Sequence, residues 1–175
     1  MLALESIFAQ TYKGYKILII YDDEDESDLL LLKKFISKKK RKFKFSIKII
    51  KNKKNLGAGG SRNVGIKYAF TKYIAFLDSD DLWFKNKLKE QLFFMKKKNL
   101  IMSHTSYVGM NDKLKILYKR KAKKIIKFND LIASCDIGLS TVILDTKFIK
   151  KNNLFFADNI KTKEDYIFWL RILKK

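Results

Sequence analysis

The sequence predicts a single α/β domain over residues 1–175, built on a mixed, mostly parallel sheet with helices on both faces. Three observations carry that expectation. Short apolar runs alternate with helix-period stretches from one end to the other. Two of the runs, residues 15–21 and 73–77, are almost wholly apolar or aromatic, as in strands covered on both faces. Both are followed at once by carboxylates, Asp22 to Glu26 and Asp78, Asp80 and Asp81, and ligands of open α/β sheets bind just beyond the carboxyl ends of the strands.

The elements follow in order. Residues 2–10 read as a short helix with Leu2, Ile7 and Phe8 inward, and residues 11–14 as a turn into the strand 15–21. Ser27 or Asp28 would cap a helix carrying Leu29 to Leu32 and Phe35, ended by the basic run Lys38 to Lys42, where positive charge suits the dipole. Residues 43–50 alternate in a period of two and predict a half-exposed strand. Residues 55–65 hold four of the seven glycines and predict a loop allowing close backbone approach. It leads into a helix over 61–70, where Arg62 stands in the first turn against the dipole's preference, which asks for an anion nearby. The dinucleotide fingerprint G-x-G-x-x-G is not completed here. After the strand 73–77, residues 86–98 predict a helix with Leu88, Leu92, Phe93 and Met95 inward. Residues 100–108 follow as a strand, and 112–124 as a basic hairpin or excursion. Helices over 128–133 and 146–151 bracket a loop and strand at 137–144. A last helix opens at Thr162, with Asp165 three residues on as in a capping box.

The turn after residues 73–77 is where chemistry is expected. Three carboxylates in four positions repel one another, and burying them unpaired is costly. A hard divalent cation, Mn²⁺ or Mg²⁺, would resolve that repulsion; a solvated acidic turn is the plainer alternative. Composition narrows the rest. No apolar run approaches the ~18 residues that span a bilayer. The one cysteine, Cys135, excludes an internal disulfide and is expected as a small buried apolar residue, so a cytoplasmic location is expected. The net charge of +21 rests almost wholly on dispersed lysines, with only Arg41, Arg62, Arg120 and Arg171 for bidentate phosphate contacts. That argues against a specific nucleic-acid partner and leaves peripheral contact with an anionic membrane compatible, at the inner membrane face.

Several stretches together resemble a known family. They are Ser6-Ile-Phe-Ala-Gln10-Thr11, Ile19 to Asp23, Gly59-Gly-Ser-Arg62-Asn63-Val-Gly65, Phe76-Leu-Asp78-Ser-Asp80-Asp81-Leu-Trp83, Lys87-Leu-x-x-Gln91 and Glu164-Asp165-Tyr-x-x-Trp169. In this order they resemble the family 2 glycosyltransferases, whose single Rossmann-like domain has the nucleotide-diphospho-sugar transferase fold. The resemblance implies roles for individual residues. Asp23 would contact the uracil of a nucleotide sugar, with Gly59 and Arg62 lining the nucleotide site and Asp78 near the ribose. Asp80 and Asp81 would hold Mn²⁺ or Mg²⁺ against the diphosphate. Asp165 would be the general base of an inverting transfer, with Glu164 and Trp169 on the acceptor side.

Three departures stand beside the resemblance. The turn after Asp22-Asp23 differs from the family's D-D-G-S-x-D, and the proline usual after the tryptophan of the D-x-D stretch is replaced by Phe84-Lys85. The sequence also starts in the first helix, so the family's opening strand is expected to be missing. The function implied is transfer of a sugar from a nucleotide-diphosphate donor, UDP above all, to a hydroxyl of a glycan or lipid-linked acceptor, in bacterial cell-surface polysaccharide synthesis such as that of lipopolysaccharide. Three alternative readings stand beside this one. A sugar nucleotidyltransferase would place its glycine loop after the first strand. A basic RNA- or membrane-surface-binding domain would have no need of Asp80 or Asp165. An inactive or incomplete transferase remnant would follow from the missing strand.

Overall fold

A computed structural model describes residues 1–40, 46–160 and 162–175. Helix α1 (Leu2–Phe8) leads to strand β1 (Lys16–Tyr21), helix α2 (Ser27–Lys40) and strand β2 (Ser46–Lys51). Residues 41–45, the expected end of α2 and start of the next strand, lie outside the described residues. Helix α3 (Gly57–Tyr68), strand β3 (Tyr73–Ala75) and helix α4 (Lys87–Lys98) follow. The single strand expected at 100–108 is two, β4 (Met102–Ser103) and β5 (Tyr107–Met110), and β6 (Ile116–Arg120) pairs back on β5 as a hairpin. The chain closes with α5 (Phe128–Ala133), a one-turn 3-10 helix at Leu139–Thr141, β7 (Ile143–Asp145), α6 (Thr146–Lys151) and α7 (Glu164–Leu173).

The expected mixed α/β architecture is present, but parallel pairing is confined to one ladder among the described residues. β1 and β2 run parallel from Lys16 opposite Ser46 to Tyr21 opposite Lys51, and α3 packs on β1. β7 lies between β3 and β4 and runs antiparallel to both, so those two strands point the same way without touching. β7 is the most deeply covered strand, with Ile143 and Leu144 each 1% exposed. Its neighbour β3 is shorter than the run that predicts it, because Phe76 and Leu77 leave the ladder and carry the chain into the aspartate turn.

The main core is aromatic at its centre. Phe156 lies 4.1 Å from Phe168, meets Phe76 edge-on at 5.4 Å, and stands 6.3 Å from Trp169. Such pairs add ~0.5–1.5 kcal/mol each beyond area burial. In α4, Leu88, Gln91, Leu92 and Met95 face inward, a stripe at i, i+3, i+4 and i+7. Phe93, expected inside, is 67% exposed, because the fifth residue along from Leu88 falls outside that stripe. Cys135, expected buried, is an exposed free thiol. Among the described residues no helix is long and apolar enough to cross a membrane.

Gln10 shows how distant blocks are joined. Its side chain is fully buried and donates to the carbonyls of Ser6 and Phe84. Its own oxygen accepts from Leu88 N–H at the start of α4 (3.0 Å). Thr11 adds a backbone bond to the Lys85 carbonyl (2.8 Å). The end of α1 thus pins the segment between the aspartate turn and α4, at a place where the chain has no regular ladder of its own.

Candidate active site

Arg62 organises the site. Its guanidinium donates to Asp78 Oδ1 (2.9 Å) and to Glu164 Oε1, and its carbon lies 5.6 Å from the centroid of the Phe156 ring. The fork geometry of arginine suits two carboxylates held on separate elements. Here they come from the aspartate turn and from α7. Hydrogen bonds and charge from Asp78 and then Glu164 outweigh burial and hold Arg62 above its ordinary pKa. The anion that Arg62 asks for is therefore supplied by the chain itself. The expected loop before it is already helix. α3 begins at Gly57, so Gly59 lies in the first turn and Arg62 beyond it. A side chain on Gly59 would meet the Ala157 carbonyl oxygen at 2.7 Å and Glu164 Cγ at 3.5 Å. Its role in this structure is close approach of α3 to the segment before α7.

The aspartate turn is braced from beneath. Asp78 N–H donates to Ser140 Oγ (3.0 Å), and Asp81 N–H closes the turn on the Asp78 carbonyl (3.2 Å). Trp83 donates its indole N–H to the Ser140 carbonyl (2.7 Å), while its backbone N–H donates to Ser6 Oγ (3.1 Å). With Asp78 tied to Arg62, the carboxylates of Asp80 and Asp81 are exposed and have no hydrogen-bond or ion-pair partner among the described residues. No group of three or more His, Cys, Asp or Glu side chains suited to a metal ion occurs among the described residues. Two free carboxylates on one turn nevertheless fit Mg²⁺ or Mn²⁺. Such ions are commonly bound through one or two carboxylates, with substrate phosphates and waters completing the shell.

Next to this turn, Lys87 lays its ammonium 4.2 Å from the centroid of the Trp83 ring. The nitrogen is buried, has no hydrogen-bond partner among the described residues, and burial lowers its pKa to about 7. The linkage has a definite sign. The unfolded chain keeps this lysine charged up to its ordinary 10.5, so below about 7 folding carries the full cost of the buried charge, and stability rises between those values. Lys87→Met is expected to raise the unfolding free energy near pH 6 by a few kcal/mol, on the order set by 1.36 kcal/mol per pKa unit. Urea unfolding at pH 6 and at pH 10 checks this, since the gain must shrink at the higher pH.

At the end of β1 it is Asp22, not Asp23, that is built into the scaffold. Asp22 Oδ1 accepts from Asn52 Nδ2 (2.7 Å) and from Leu56 N–H (2.8 Å), so it fixes the entry to α3. Asp23 is exposed, and its carboxylate accepts only the Asp25 N–H (3.1 Å) among the described residues. The altered turn has its own internal bonds. Asp25 accepts from the Ser27 backbone and hydroxyl, which holds its carboxyl below the usual range. Asp25 thus does the capping expected of Ser27 or Asp28.

α7 separates its two acidic residues by function. It begins at Glu164 after Lys163 in the left-handed region (φ 63°), and Thr162 makes no capping bond, so the expected capping box is not formed. Glu164, expected on the acceptor side, is 8% exposed and paired with Arg62. Asp165 is half-buried and accepts only the adjacent Tyr166 N–H (2.7 Å) among the described residues. Burial, with the neighbouring Glu164 charge, lifts its carboxyl above the ordinary value against the Tyr166 bond and the pull of Arg62. Trp169, expected on the acceptor side, is fully buried in the aromatic core and supports α7 from within.

The structure therefore joins Asp78, Arg62, Glu164 and Asp165 in one cluster, with Asp80 and Asp81 on the adjoining turn. Residues given no role from sequence complete it. Asn63 clamps the Phe156 backbone in both directions, accepting its N–H (2.8 Å) and donating to its carbonyl (3.0 Å). Asn52 and Ser140 anchor the two strand-end turns. Asn63 sits within a quoted stretch, so the stretch itself was the signal; Asn52 and Ser140 carried none, because a lone polar residue in a loop has many ordinary uses.

Comparison with known proteins identifies the family and the fold. The family model described as Glycosyl transferase family 2 matches residues 2–154. A glycosyltransferase of Rickettsia felis (strain ATCC VR-1525 / URRWXCal2) is 40% identical over 175 residues, covering 99% of this chain and 28% of its own length. UDP-Glc:alpha-D-GlcNAc-diphosphoundecaprenol beta-1,3-glucosyltransferase WfgD of Escherichia coli is 35% identical over 172 residues, 98% of this chain and 63% of that protein. The chain thus spans only part of the length of these curated relatives. Among solved structures, S. aureus TarS 1-349 in complex with UDP-GlcNAc superposes with a TM-score of 0.75 at 22% identity, over 97% of this chain and 48% of TarS 1-349, which shows a shared fold.

Proposed function

Because this chain belongs to glycosyl transferase family 2, we propose that it carries the donor-binding and base-bearing part of an inverting glycosyltransferase. The donor is a UDP-sugar and the acceptor a hydroxyl of a lipid-linked glycan, as in bacterial surface-polysaccharide synthesis. The observation that carries this reading is the division of labour at the aspartate turn. Asp78 is locked to Arg62, while Asp80 and Asp81 project free beside it. That is how one turn can both hold its shape and offer ligands. The Escherichia coli relative named for transfer from UDP-Glc to a diphosphoundecaprenol-linked acceptor supports the donor and acceptor classes.

A divalent cation held by Asp80 and Asp81 together with diphosphate oxygens would offset the charge that develops on the departing nucleoside diphosphate. The chain's own residues do the rest. Asp23 would meet the base, and Asp78, paired with Arg62, the ribose. Asp165 accepts the proton of the acceptor hydroxyl as its oxygen attacks the anomeric carbon. A carboxyl lifted above its ordinary pKa by burial is a better base for that step than an exposed one. The bond to the nucleotide breaks as the glycosidic bond forms, in one displacement with inversion and no covalent intermediate.

Calorimetric titration of UDP with and without Mn²⁺ tests the donor half of this reading. The parent is expected to bind UDP more tightly with the metal. Asp80→Asn is expected to lose ~10-fold or more of that gain, the usual worth of a metal-site partner. Its thermal unfolding should be unchanged, since Asp80 is exposed. Equal metal-dependent affinity in parent and variant would remove Asp80 from the site.

A further inference from the structure

We propose that the β5–β6 hairpin is a docking surface for an anionic lipid bilayer. Every residue of β6 is exposed, on both faces of the ribbon. Ile116, Leu117 and Tyr118 stand out from it, with Leu117 62% exposed. At the tip Leu114 is 55% exposed and adopts φ 58°, a left-handed conformation that favours glycine or asparagine. The tip is ordered by Asn111, whose side-chain oxygen accepts the N–H groups of Lys113 and Lys115, while its backbone pairs with Lys115 and Leu114. An apolar side chain is thus held outward at the apex by a well-bonded turn, between two lysines.

Charge points the same way. Residues 110–124 carry seven basic side chains against Asp112 alone. Two of the seven, Arg120 and Lys123, have acidic partners in Asp136 and Asp130. The other five have no ion pair among the described residues. Aliphatic side chains at the apex with lysines beside them match an interface where the apolar groups enter the acyl boundary. The ammonium groups stay at headgroup level. Nucleic acid fits less well, because it rewards arginine forks and aromatic platforms rather than exposed leucine and isoleucine.

The base of the ribbon is tied to the segment that follows α5. Arg120 reaches Asp136 (3.5 Å), next to Cys135. α5, which ends shortly before Cys135, packs on α7, whose first turn carries Asp165. A bilayer held by the hairpin would bring lipid-borne hydroxyls to that side. The docking surface itself does not rest on the transferase reading, and its readout needs no activity.

Sedimentation of the 175-residue chain with vesicles is the test. Vesicles of equal parts phosphatidylglycerol and phosphatidylcholine are expected to carry the protein down, and pure phosphatidylcholine vesicles to leave it in solution. Leu114→Ser with Leu117→Ser, and separately Lys113→Glu with Lys115→Glu, should each weaken partitioning by ~10-fold, in line with the contribution of a few charges or apolar groups at a membrane surface. Both variants should unfold at the parent's temperature and bind UDP as the parent does. Parent protein that ignores the anionic vesicles, or variants that sediment like the parent, would overturn the proposal. So would an RNA oligonucleotide that binds in preference to the vesicles and is indifferent to Leu114 and Leu117.

Discussion

Asp165→Asn is expected to keep UDP binding and to lose sugar transfer by a factor of ~10²–10⁴, the usual worth of a positioned base. The substitution is nearly isosteric. The Tyr166 N–H can still donate to the side-chain oxygen that it meets at 2.7 Å, so the start of α7 should not move. Release of UDP from a UDP-sugar, compared between parent and variant at equal chain length, measures the loss. Calorimetry with UDP confirms that donor binding survives. Transfer near the parent rate would take Asp165 out of the mechanism.

The same substitution should act on stability in the opposite direction, which separates the base from a merely structural carboxylate. Burial raises the folded-state pKa of Asp165 above its ordinary 3.8. An acid raised in the folded state favours folding at low pH and costs stability as pH climbs through the raised value. Asparagine does not titrate. The variant should therefore match the parent in acid and exceed it at neutral pH, by the amount that burial of the charge costs. A helix-start aspartate acting only through the dipole would give the reverse, a loss of ~0.3–1 kcal/mol at neutral pH.

Much of this site was legible in the sequence because it lies at strand ends. Apolar runs closed by carboxylates located the turns after β1 and β3, and the spacing of blocks from Gln10 to Asp165 carried the family. What the sequence concealed was which carboxylate does what. Asp22 and Asp23 are adjacent and chemically alike, yet one caps the entry to α3 while the other faces solvent. Glu164 and Asp165 are likewise adjacent, and only the ion pair with Arg62 of α3 assigns Glu164 to a scaffold role. Trp169, which the resemblance put on the acceptor side, is fully buried in the core. Phe156, distant in sequence, meets it only in three dimensions. β7 itself falls at the end of the strand expected within 137–144, but its pairing was hidden. A three-residue strand has too few positions to show a direction, and its antiparallel place between β3 and β4 follows from contacts distant in sequence.

Arg62→Ala is expected to produce the largest loss of stability, about 3 kcal/mol, toward the lower end for breaking a buried ion pair by removing one partner. Its side chain is 17% exposed and that of Glu164 11%, so removal of the guanidinium strands the Glu164 carboxylate in the interior. Asp78 is 37% exposed, and solvent screens it, so its loss of a partner costs less. Arg62→Lys should recover only part of the loss, because a single ammonium cannot fork to two carboxylates held on different elements. The decisive measurement is the double variant Arg62→Ala with Glu164→Gln, followed by urea unfolding. If the cost of Arg62→Ala is chiefly the stranded carboxylate, neutralising it restores most of the stability, and the two substitutions are strongly non-additive. Losses that simply add would mean that Arg62 acts through its packing on Phe156, and the bridge between the aspartate turn and α7 would not be what holds them together.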